Sequence, residues 1–410
     1  MTTPGGLQRR LGTTDAVVIG LGSMVGAGIF AALAPAAAAA GSGLLIGLAV
    51  AAVVAYCNAT SSARLAARYP QSGGTYVYGR ERLGEFWGYT AGWSFIVGKT
   101  ASCAAMALTV GLYVWPQWAH AVAVAAVVAL TAVNYAGIQK SALVTRIIVA
   151  CVLAVLAAVV VIIAGSGVGD AARLEIGDVG VGGVLQAAGL LFFAFAGYAR
   201  IATLGEEVRD PARTIPRAIP IALGIALVIY AVVAVTVLSV LGGPGLATAP
   251  APLADAVTAA GAPGWQPVVR VGAAVAALGS LLALILGVSR TTLAMARDHH
   301  LPHGLAAVHP RFNVPHRAEL AVGIVVAFLA ATVDLRGAIG FSSFAVLLYY
   351  AIANVSAWTL EPKNWWHRMV AAVGLIGCLV LAFSLPLASA LTGLAVVAVG
   401  AAIYWARSHT

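Results

Sequence analysis

Long apolar segments separated by short polar connections follow one another along almost the whole chain. Each is close to the roughly 20 residues that a helix needs to cross a bilayer. The ninth and eleventh segments are short, so a tilted or partly interfacial placement is open for both. The pattern predicts an all-α integral membrane protein with twelve transmembrane helices, centred near residues 19–33, 44–65, 86–113, 119–135, 143–164, 182–204, 219–241, 271–295, 320–333, 339–360, 369–385 and 387–405.

The composition excludes a soluble protein. Of the 410 residues, 61% are hydrophobic and only 9% are charged, and the mean hydropathy is +0.96. Soluble domains hold about 45–50% apolar and about 25% charged residues. The formal charge of +9 comes with no long basic run. Because the cations lie in short connections, they indicate orientation in a membrane rather than nucleic-acid binding.

The lysines and arginines are distributed unequally between the two sets of connections. Lys99 and Arg200 lie within apolar segments, Arg173, Arg270 and Arg336 fall on one side, and all the others fall on the opposite side. The positive-inside rule then predicts a multi-pass protein of the cytoplasmic membrane with both termini in the cytoplasm. A secretory signal peptide at the start is the alternative, but its removal would reverse this bias.

Two of the apolar segments are interrupted. The first contains GSMVGAGIF (22–30), and the sixth contains FFAFAG (192–197). A break frees backbone N–H and C=O groups that lipid cannot satisfy, and in secondary transporters such groups bind the substrate near the membrane midplane. Glycine clusters also serve close helix packing, which is an equally good explanation of either break alone. Two breaks five segments apart favour binding.

The same spacing suggests an inverted repeat of five plus five helices. Helices 1–5 would form the first repeat (15–164) and helices 6–10 the second (182–360). A cytoplasmic N-terminus (1–14) would precede them, and helices 11 and 12 (369–406) would follow, all in one transporter domain (1–410). An odd repeat length turns the second copy over in the membrane, so the two broken helices would meet at the centre.

Several motifs resemble those of the amino acid–polyamine–organocation permeases. They are GSMVGAGIF in the first helix, ARYPQSGGTY (67–76), NYAG (134–137), FFAFAG with ATLGEE (202–207), and AMARD (294–298). In motif the chain is most similar to bacterial members of the cationic and neutral amino acid transporter type. The resemblance implies a LeuT-like fold with broken helices 1 and 6, and alternating access to an amino acid held between the two breaks.

The resemblance also implies which groups hold the substrate. Backbone N–H groups would face the α-carboxylate, and backbone carbonyls would accept hydrogen bonds from the ammonium. Glycines let a ligand approach the backbone closely, and Phe193 would cover the substrate as a thin gate, unless it is an ordinary packing aromatic. The predicted substrate-binding residues are Met24, Gly26, Ala27, Gly28, Phe193, Ala196 and Gly197.

Two cations within the segments depart from the family pattern. Arg200 stands close to a place where many relatives have an acidic residue; it could offset the substrate carboxylate, replace a cation, pair with Glu207, or extend toward the surface. Some relatives carry a lysine in the fifth helix, where this chain has only VACV (149–152). Lys99 in the third helix could change protonation during transport, or could be structural, with its head group on a carbonyl. Lys99 and Arg200 are thus candidates for coupling.

Two polar clusters remain. Glu206 and Glu207 end the sixth helix among arginines and are candidates for an inner gate, with surface ion pairs as the alternative. His299, His300 and nearby histidines invite a metal interpretation, but a solvated loop is favoured. No metal and no cofactor are predicted.

The predicted function is secondary active transport of an amino acid by a permease, through proton-coupled symport or exchange, with a facilitator also open. No catalytic motif occurs, so an enzyme is not expected. The alternatives are a polyamine or organic-amine permease and a transport-inactive sensor or partner protein. Expected partners are the amino acid, protons as a candidate coupling ion and the lipid bilayer, with neither nucleic acid nor an obligate protein partner. Small or neutral substrates are favoured, and Arg200 leaves acidic ones open.

Overall fold

The computed structural model describes residues 11–70, 73–137, 142–177, 179–202, 208–312, 314–361 and 364–408. Within these residues the chain is helical, and one isolated parallel bridge joins Leu11 to Val208. The α-helices are α1 (Thr13–Met24), α2 (Ala27–Ala31), α3 (Leu33–Ala40), α4 (Leu44–Arg68), α5 (Thr75–Leu83), α6 (Glu85–Val114), α7 (Ala119–Tyr135), α8 (Ala142–Ser166), α9 (Val181–Phe195), α10 (Ala199–Ala202), α11 (Pro211–Thr248), α12 (Pro252–Ala259), α13 (Gln266–Arg297), α14 (His316–Thr332), α15 (Leu335–Trp358), α16 (Trp365–Ser384) and α17 (Leu387–Ser408).

Each predicted apolar segment forms a helix or a series of helices, in the predicted order. In the part of the chain that the structure describes, eleven helices are long and apolar enough to cross a membrane. The ninth predicted segment forms α14, which has 17 residues and carries Glu319 in its first turn. It is therefore shorter than the roughly 20 residues that a perpendicular crossing needs.

The first segment is interrupted at Val25 and Gly26. Helix α1 ends at Met24, Gly26 has a non-helical backbone (φ −79°, ψ −129°), and α2 begins at Ala27. Glycine suits this position because a Cβ atom there would lie 1.9 Å from Ser280 Oγ. The interruption thus brings the backbone of the first segment against α13.

The sixth segment changes its helical form without fully unwinding. Helix α9 ends at Phe195, a 3₁₀ turn covers Ala196–Tyr198, and α10 follows from Ala199 to Ala202. A 3₁₀ turn is more tightly wound than an α-helix, and within a helix it often marks a hinge. The backbone of the sixth segment is therefore irregular at the predicted place.

Small residues hold the helices close together around the two interrupted segments. Helices α6 and α15 are the most deeply buried spans. Where α4 crosses α9, a Cβ atom at Gly47 would lie 3.1 Å from the backbone of Val184 and Ala188. Such close approach lets backbones pack in a membrane, where the hydrophobic effect does not drive helices together.

A buried polar network links α4, α15 and α16. Asn354 Nδ2 donates to Asn58 Oδ1 at 2.6 Å, and Ser61 Oγ donates to Asn354 Oδ1 at 2.7 Å. Cys378 Sγ lies 3.3 Å from the same Asn58 oxygen. Interhelical hydrogen bonds of this kind fix the register of helices in an apolar surrounding.

Candidate functional site

The two interruptions touch each other. A Cβ atom at Gly197 would lie 2.3 Å from the Ser23 carbonyl oxygen and 2.7 Å from Met24 N. A Cβ atom at Gly28 would lie 2.6 Å from Ala194 Cα. Only glycine allows these approaches, so the backbones of the first and sixth segments lie against each other on both sides of the break.

Tyr230 of α11 bridges the two interrupted segments. Its hydroxyl lies 2.5 Å from the Met24 carbonyl oxygen and 2.9 Å from the Ala194 carbonyl oxygen, and the side chain is buried. Its single proton can be shared between these two acceptors. The Met24 carbonyl, which was predicted to accept from a substrate ammonium, thus already has a donor within the protein.

The second predicted carbonyl also has protein donors. Lys99 Nζ donates to the Ala196 carbonyl oxygen at 3.2 Å, and the Tyr350 hydroxyl lies 3.4 Å from the same oxygen. Lys99 is 6% exposed and lies midway along α6. Tyr350 stacks on Tyr198 of the 3₁₀ turn, with ring centroids 5.1 Å apart. A buried ammonium of the third segment therefore contacts the irregular part of the sixth segment.

A small cavity lies between the first interruption and helices α8 and α13. It measures about 20 Å³, room for one water molecule, and Gly22 and Gly26 line it together with Val149 and Val152 of α8. Ser280 Oγ donates to the Gly22 carbonyl oxygen at its edge, at 3.2 Å. The residues of the VACV stretch in the fifth segment that face the first break are thus both valines.

The other predicted substrate-binding residues lie in the same place. Ala27 and Gly28 form the first turn of α2, where backbone N–H groups have no partner within their helix. Phe193 is the most exposed residue in the stretch from Phe192 to Ala196, at 7%. The predicted residues are therefore brought together around one point.

Of the charged residues that were predicted to take part in transport, some lie within the described residues and some do not. Arg200 is half-buried in α10, directly after the 3₁₀ turn, and it contacts another residue of the protein. Glu206 and Glu207 lie outside the described residues, so their predicted role as an inner gate stays a prediction. Asp15 pairs with Arg146 of α8 near the start of the first segment.

The connection after α13 packs onto the connection between the second and third segments. The Tyr76 hydroxyl donates to Asp298 Oδ2 at 2.5 Å and lies 2.9 Å from His300 Nδ1, and Arg80 donates to the same carboxylate at 3.0 Å. Burial and the contact with Asp298 raise the pKa of Tyr76. Burial lowers the pKa of His300 below its ordinary value of 6.5, against the opposing effect of Asp298. The histidine thus favours its neutral form.

The histidines of this connection pack against one another and against aromatic rings. Among the described residues, no group of three or more histidine, cysteine, aspartate or glutamate side chains could hold a metal ion. His299 instead stacks on His303, with ring centroids 5.3 Å apart.

A cavity of about 200 Å³ lies beyond the first interruption. Among the residues that line it are Phe30, Pro35, Tyr113 and the beginning of α15 with its N-cap Asp334. The Tyr113 hydroxyl donates to the Phe30 carbonyl oxygen at 3.2 Å, and the two rings pack edge to face. Phe30 and Tyr113 thus connect α2 to α6 at the wall of the cavity.

The side chains that contact the freed carbonyls were not among the predicted site residues. Tyr230, Ser280 and Tyr350 are hydroxyl residues within apolar segments, and this polarity is the signal that could have indicated them. Glu319 was also missed. It is fully buried, and within the described part of the chain neither of its carboxylate oxygens has a hydrogen-bond partner.

The comparisons with known proteins agree in one family. The model of the family described as "Amino acid permease" matches residues 15–403. An uncharacterized transporter of Mycobacterium tuberculosis is 75% identical over 406 residues, which cover 98% of this chain and 92% of that protein. The branched-chain amino acid permease BcaP of Bacillus subtilis is 27% identical over 389 residues, covering 87% and 82%. The human cationic amino acid transporter 4 is 29% identical over 377 residues, covering 85% and 59%.

Proposed function

The chain belongs to the amino acid permease family, and on that premise we propose that it carries an amino acid across the cytoplasmic membrane by alternating access. Its relatives are transporters and not enzymes. Transport of amino acids is the activity that the names of the permease relatives state, and the proposal extends it to this chain. The contact between the two interrupted segments is the observation that supports the proposal most directly.

The proposed binding site uses the backbone of both segments. The N–H groups of Ala27 and Gly28 face the substrate carboxylate, since the positive end of a helix dipole favours an anion. The carbonyls of Met24 and Phe193 face the ammonium, and the Met24 carbonyl, which also accepts from Tyr230, uses its second lone pair for this contact. The Ala196 carbonyl accepts from Lys99 and therefore borders the substrate without binding its ammonium. Peptide groups recognise a zwitterion without the desolvation that buried charged side chains would cost. Gly26 and Gly197 keep the backbones close enough for both sets of groups to reach one small ligand.

The proposed architecture is the LeuT-like arrangement of twelve spans, with helices 1–5 and 6–10 as inverted repeats. Helix α14 crosses the membrane as a short ninth span, and both termini lie in the cytoplasm. The unequal distribution of lysine and arginine supports this orientation. Phe193 acts as the thin gate, and Glu206 and Glu207 act at the inner gate.

Coupling is the second part of the proposal. Lys99 is the candidate for proton-coupled symport, because it is a titratable group that is buried on a carbonyl of the sixth segment, beside the proposed substrate. Arg200 is the candidate for contact with the substrate carboxylate. If the pH dependence of transport is unaltered in Lys99→Ala, Lys99 has no part in coupling. If Arg200→Ala leaves affinity unchanged for acidic, neutral and basic amino acids, Arg200 does not contact the substrate.

Counterflow in proteoliposomes tests the proposal. The purified full-length protein is reconstituted, loaded with each of the twenty amino acids in turn, and assayed for entry of the same labelled amino acid at two pH values. We expect at least one amino acid to exchange and to raise the melting temperature of the protein. Exchange should be lost in Gly28→Ala, because its methyl group would press on Ala194. It should persist in Gly287→Ala of α13, where nothing lies within 4 Å of the added methyl group.

The proposal fails if no amino acid is exchanged and none raises the melting temperature. In that case the same assay with polyamines tests the organic-amine alternative. Equal exchange in Gly28→Ala and Gly287→Ala would leave transport intact but remove the substrate site from the interrupted segments.

A further inference from the structure

The middle of the helical bundle carries positive charge and, in the described part of the chain, no negative charge. Lys99 lies midway along α6, and Arg200 follows the 3₁₀ turn of the sixth segment. The described carboxylates lie in the first turn of a long helix or outside the long helices; they are Asp15, Glu81, Glu85, Asp170, Glu175, Asp210, Asp255, Asp298, Glu319, Asp334 and Glu361.

Lys99 is buried, and none of the described residues supplies it with a counter-ion. Its side chain is 6% exposed, and no described carboxylate lies within 4.0 Å of Nζ. The Ala196 carbonyl at 3.2 Å is a neutral partner, which offsets only part of the cost of removing an ammonium from water. A negatively charged group brought next to Lys99 would therefore be stabilised strongly.

The position of Lys99 connects this charge to the substrate. Ala196 belongs to the 3₁₀ turn that lies against the first interruption through Gly197. In the proposed site the substrate lies at this junction, so its side chain shares the space around Ala196 with the Lys99 ammonium. A substrate with a second carboxylate would complete an ion pair there, whereas a cationic side chain would meet a like charge.

We propose that Lys99 makes the site select substrates by charge, so that amino acids with an acidic side chain bind better than neutral ones and cationic amino acids are excluded. This inference rests on the proposed function. Lys99 is then a specificity-determining residue, and the substrate class is that of the anionic amino acids.

Competition measurements on the full-length protein in proteoliposomes test the inference. Unlabelled glutamate, alanine and arginine compete with a labelled amino acid that exchanges, and the concentrations for half-inhibition are compared at one pH. We expect glutamate to compete at least about tenfold better than arginine, a difference of about 1.4 kcal/mol. Lys99→Met should reduce this ratio about tenfold or more, and Lys99→Arg should keep it because it keeps the charge.

Arg270→Met is the matched control. Arg270 is also a partly buried cation on a backbone carbonyl, since it donates to the Tyr113 oxygen at 2.9 Å. Tyr113 lies 14 residues beyond Lys99 on α6, about 21 Å along the helix. Removal of this cation should leave the preference for glutamate over arginine unchanged.

Several outcomes would overturn the inference. The first is that arginine competes as well as glutamate in the unmodified protein, a result that does not depend on the folding of any variant. The second is that Lys99→Met and Arg270→Met alter the ratio of half-inhibition concentrations equally. Either result leaves the proposed function standing if some amino acid exchanges. Absence of any exchange or thermal stabilisation would instead refute the proposed function itself.

Discussion

A single methyl group added at Gly197 should separate the two interrupted segments. In Gly197→Ala the new Cβ atom would lie 2.3 Å from the Ser23 carbonyl oxygen and 2.5 Å from the Ser23 carbonyl carbon. Ordinary contact between such atoms needs about 3.5 Å, so one backbone must move by about 1 Å. These atoms belong to the backbone, so no flexible side chain can give way.

The magnitude follows from measured costs of overpacking. Insertion of a methyl group into a well-packed interior costs about 1–3 kcal/mol. If this cost falls on the state in which both segments hold the substrate, affinity should decrease about 5- to 150-fold. The decrease should appear for every transported amino acid alike, because the disturbed groups are peptide groups rather than a side-chain pocket.

Substrate-dependent thermal stabilisation and counterflow measure this effect. Gly224→Ala is the control: Gly224 lies within α11, nothing lies within 4 Å of the added methyl group, and alanine favours a helix by about 1 kcal/mol over glycine. It should be as active as the unmodified protein and at least as stable. The reasoning is refuted if Gly197→Ala binds and exchanges amino acids as well as Gly224→Ala does.

Three further predictions concern side chains around the site and its connections. Tyr230→Phe removes the donor of two buried carbonyls and should lower stability by about 1–3 kcal/mol in thermal unfolding, whereas Tyr56→Phe at an exposed position should have no measurable effect; equal melting temperatures would contradict this. Ser280→Ala removes the donor to a carbonyl of the first segment, so it should cost about 1 kcal/mol, and an unchanged melting temperature would show that this bond contributes nothing. His300 has a pKa below 6.5 in the folded protein, so the unfolded chain takes up its proton first and stability should decrease as pH falls below 6.5. His300→Gln should reduce that decrease, and parallel pH profiles of melting temperature would exclude His300 as its cause.

The order and extent of the helices were accessible from the sequence. In lipid every backbone group must be satisfied within the chain, so a long apolar run has little choice but to form a helix. The same rule does not determine the placement of α14, because His316 and Glu319 lie in its first turn. Hydropathy alone does not tell whether such a helix crosses the membrane or ends short of one surface.

The two interruptions differ in how well the sequence indicated them. Gly26 and Gly28 mark the first break because both tolerate close backbone contact, and the helix ends there at Met24. The sixth segment offers phenylalanines and alanines before Gly197, and these residues keep it wound as a 3₁₀ turn. The broken character of the sixth helix is therefore weaker than the motif suggested.

The partners of the freed carbonyls could not be predicted. Tyr230 lies 206 residues from Met24 in the chain, and Lys99 lies 97 residues from Ala196. Both contacts depend on the rotation of one helix relative to another, which hydropathy does not determine. A structural role and a coupling role of Lys99 are both compatible with the sequence, and its contact with the Ala196 carbonyl is defined only once the helices are packed.

The pairing of Leu11 with Val208 bears on where a reporter can be fused. Arg209 N donates to the Leu11 carbonyl oxygen at 2.8 Å. This bond connects the residues just before α1 to the residues just before α11. A bulky fluorescent domain joined directly before Leu11 would disturb this pairing. The opposite end follows α17, the least buried of the long apolar helices. A fluorescent or affinity label joined after α17 should therefore leave the pairing of Leu11 with Val208 undisturbed.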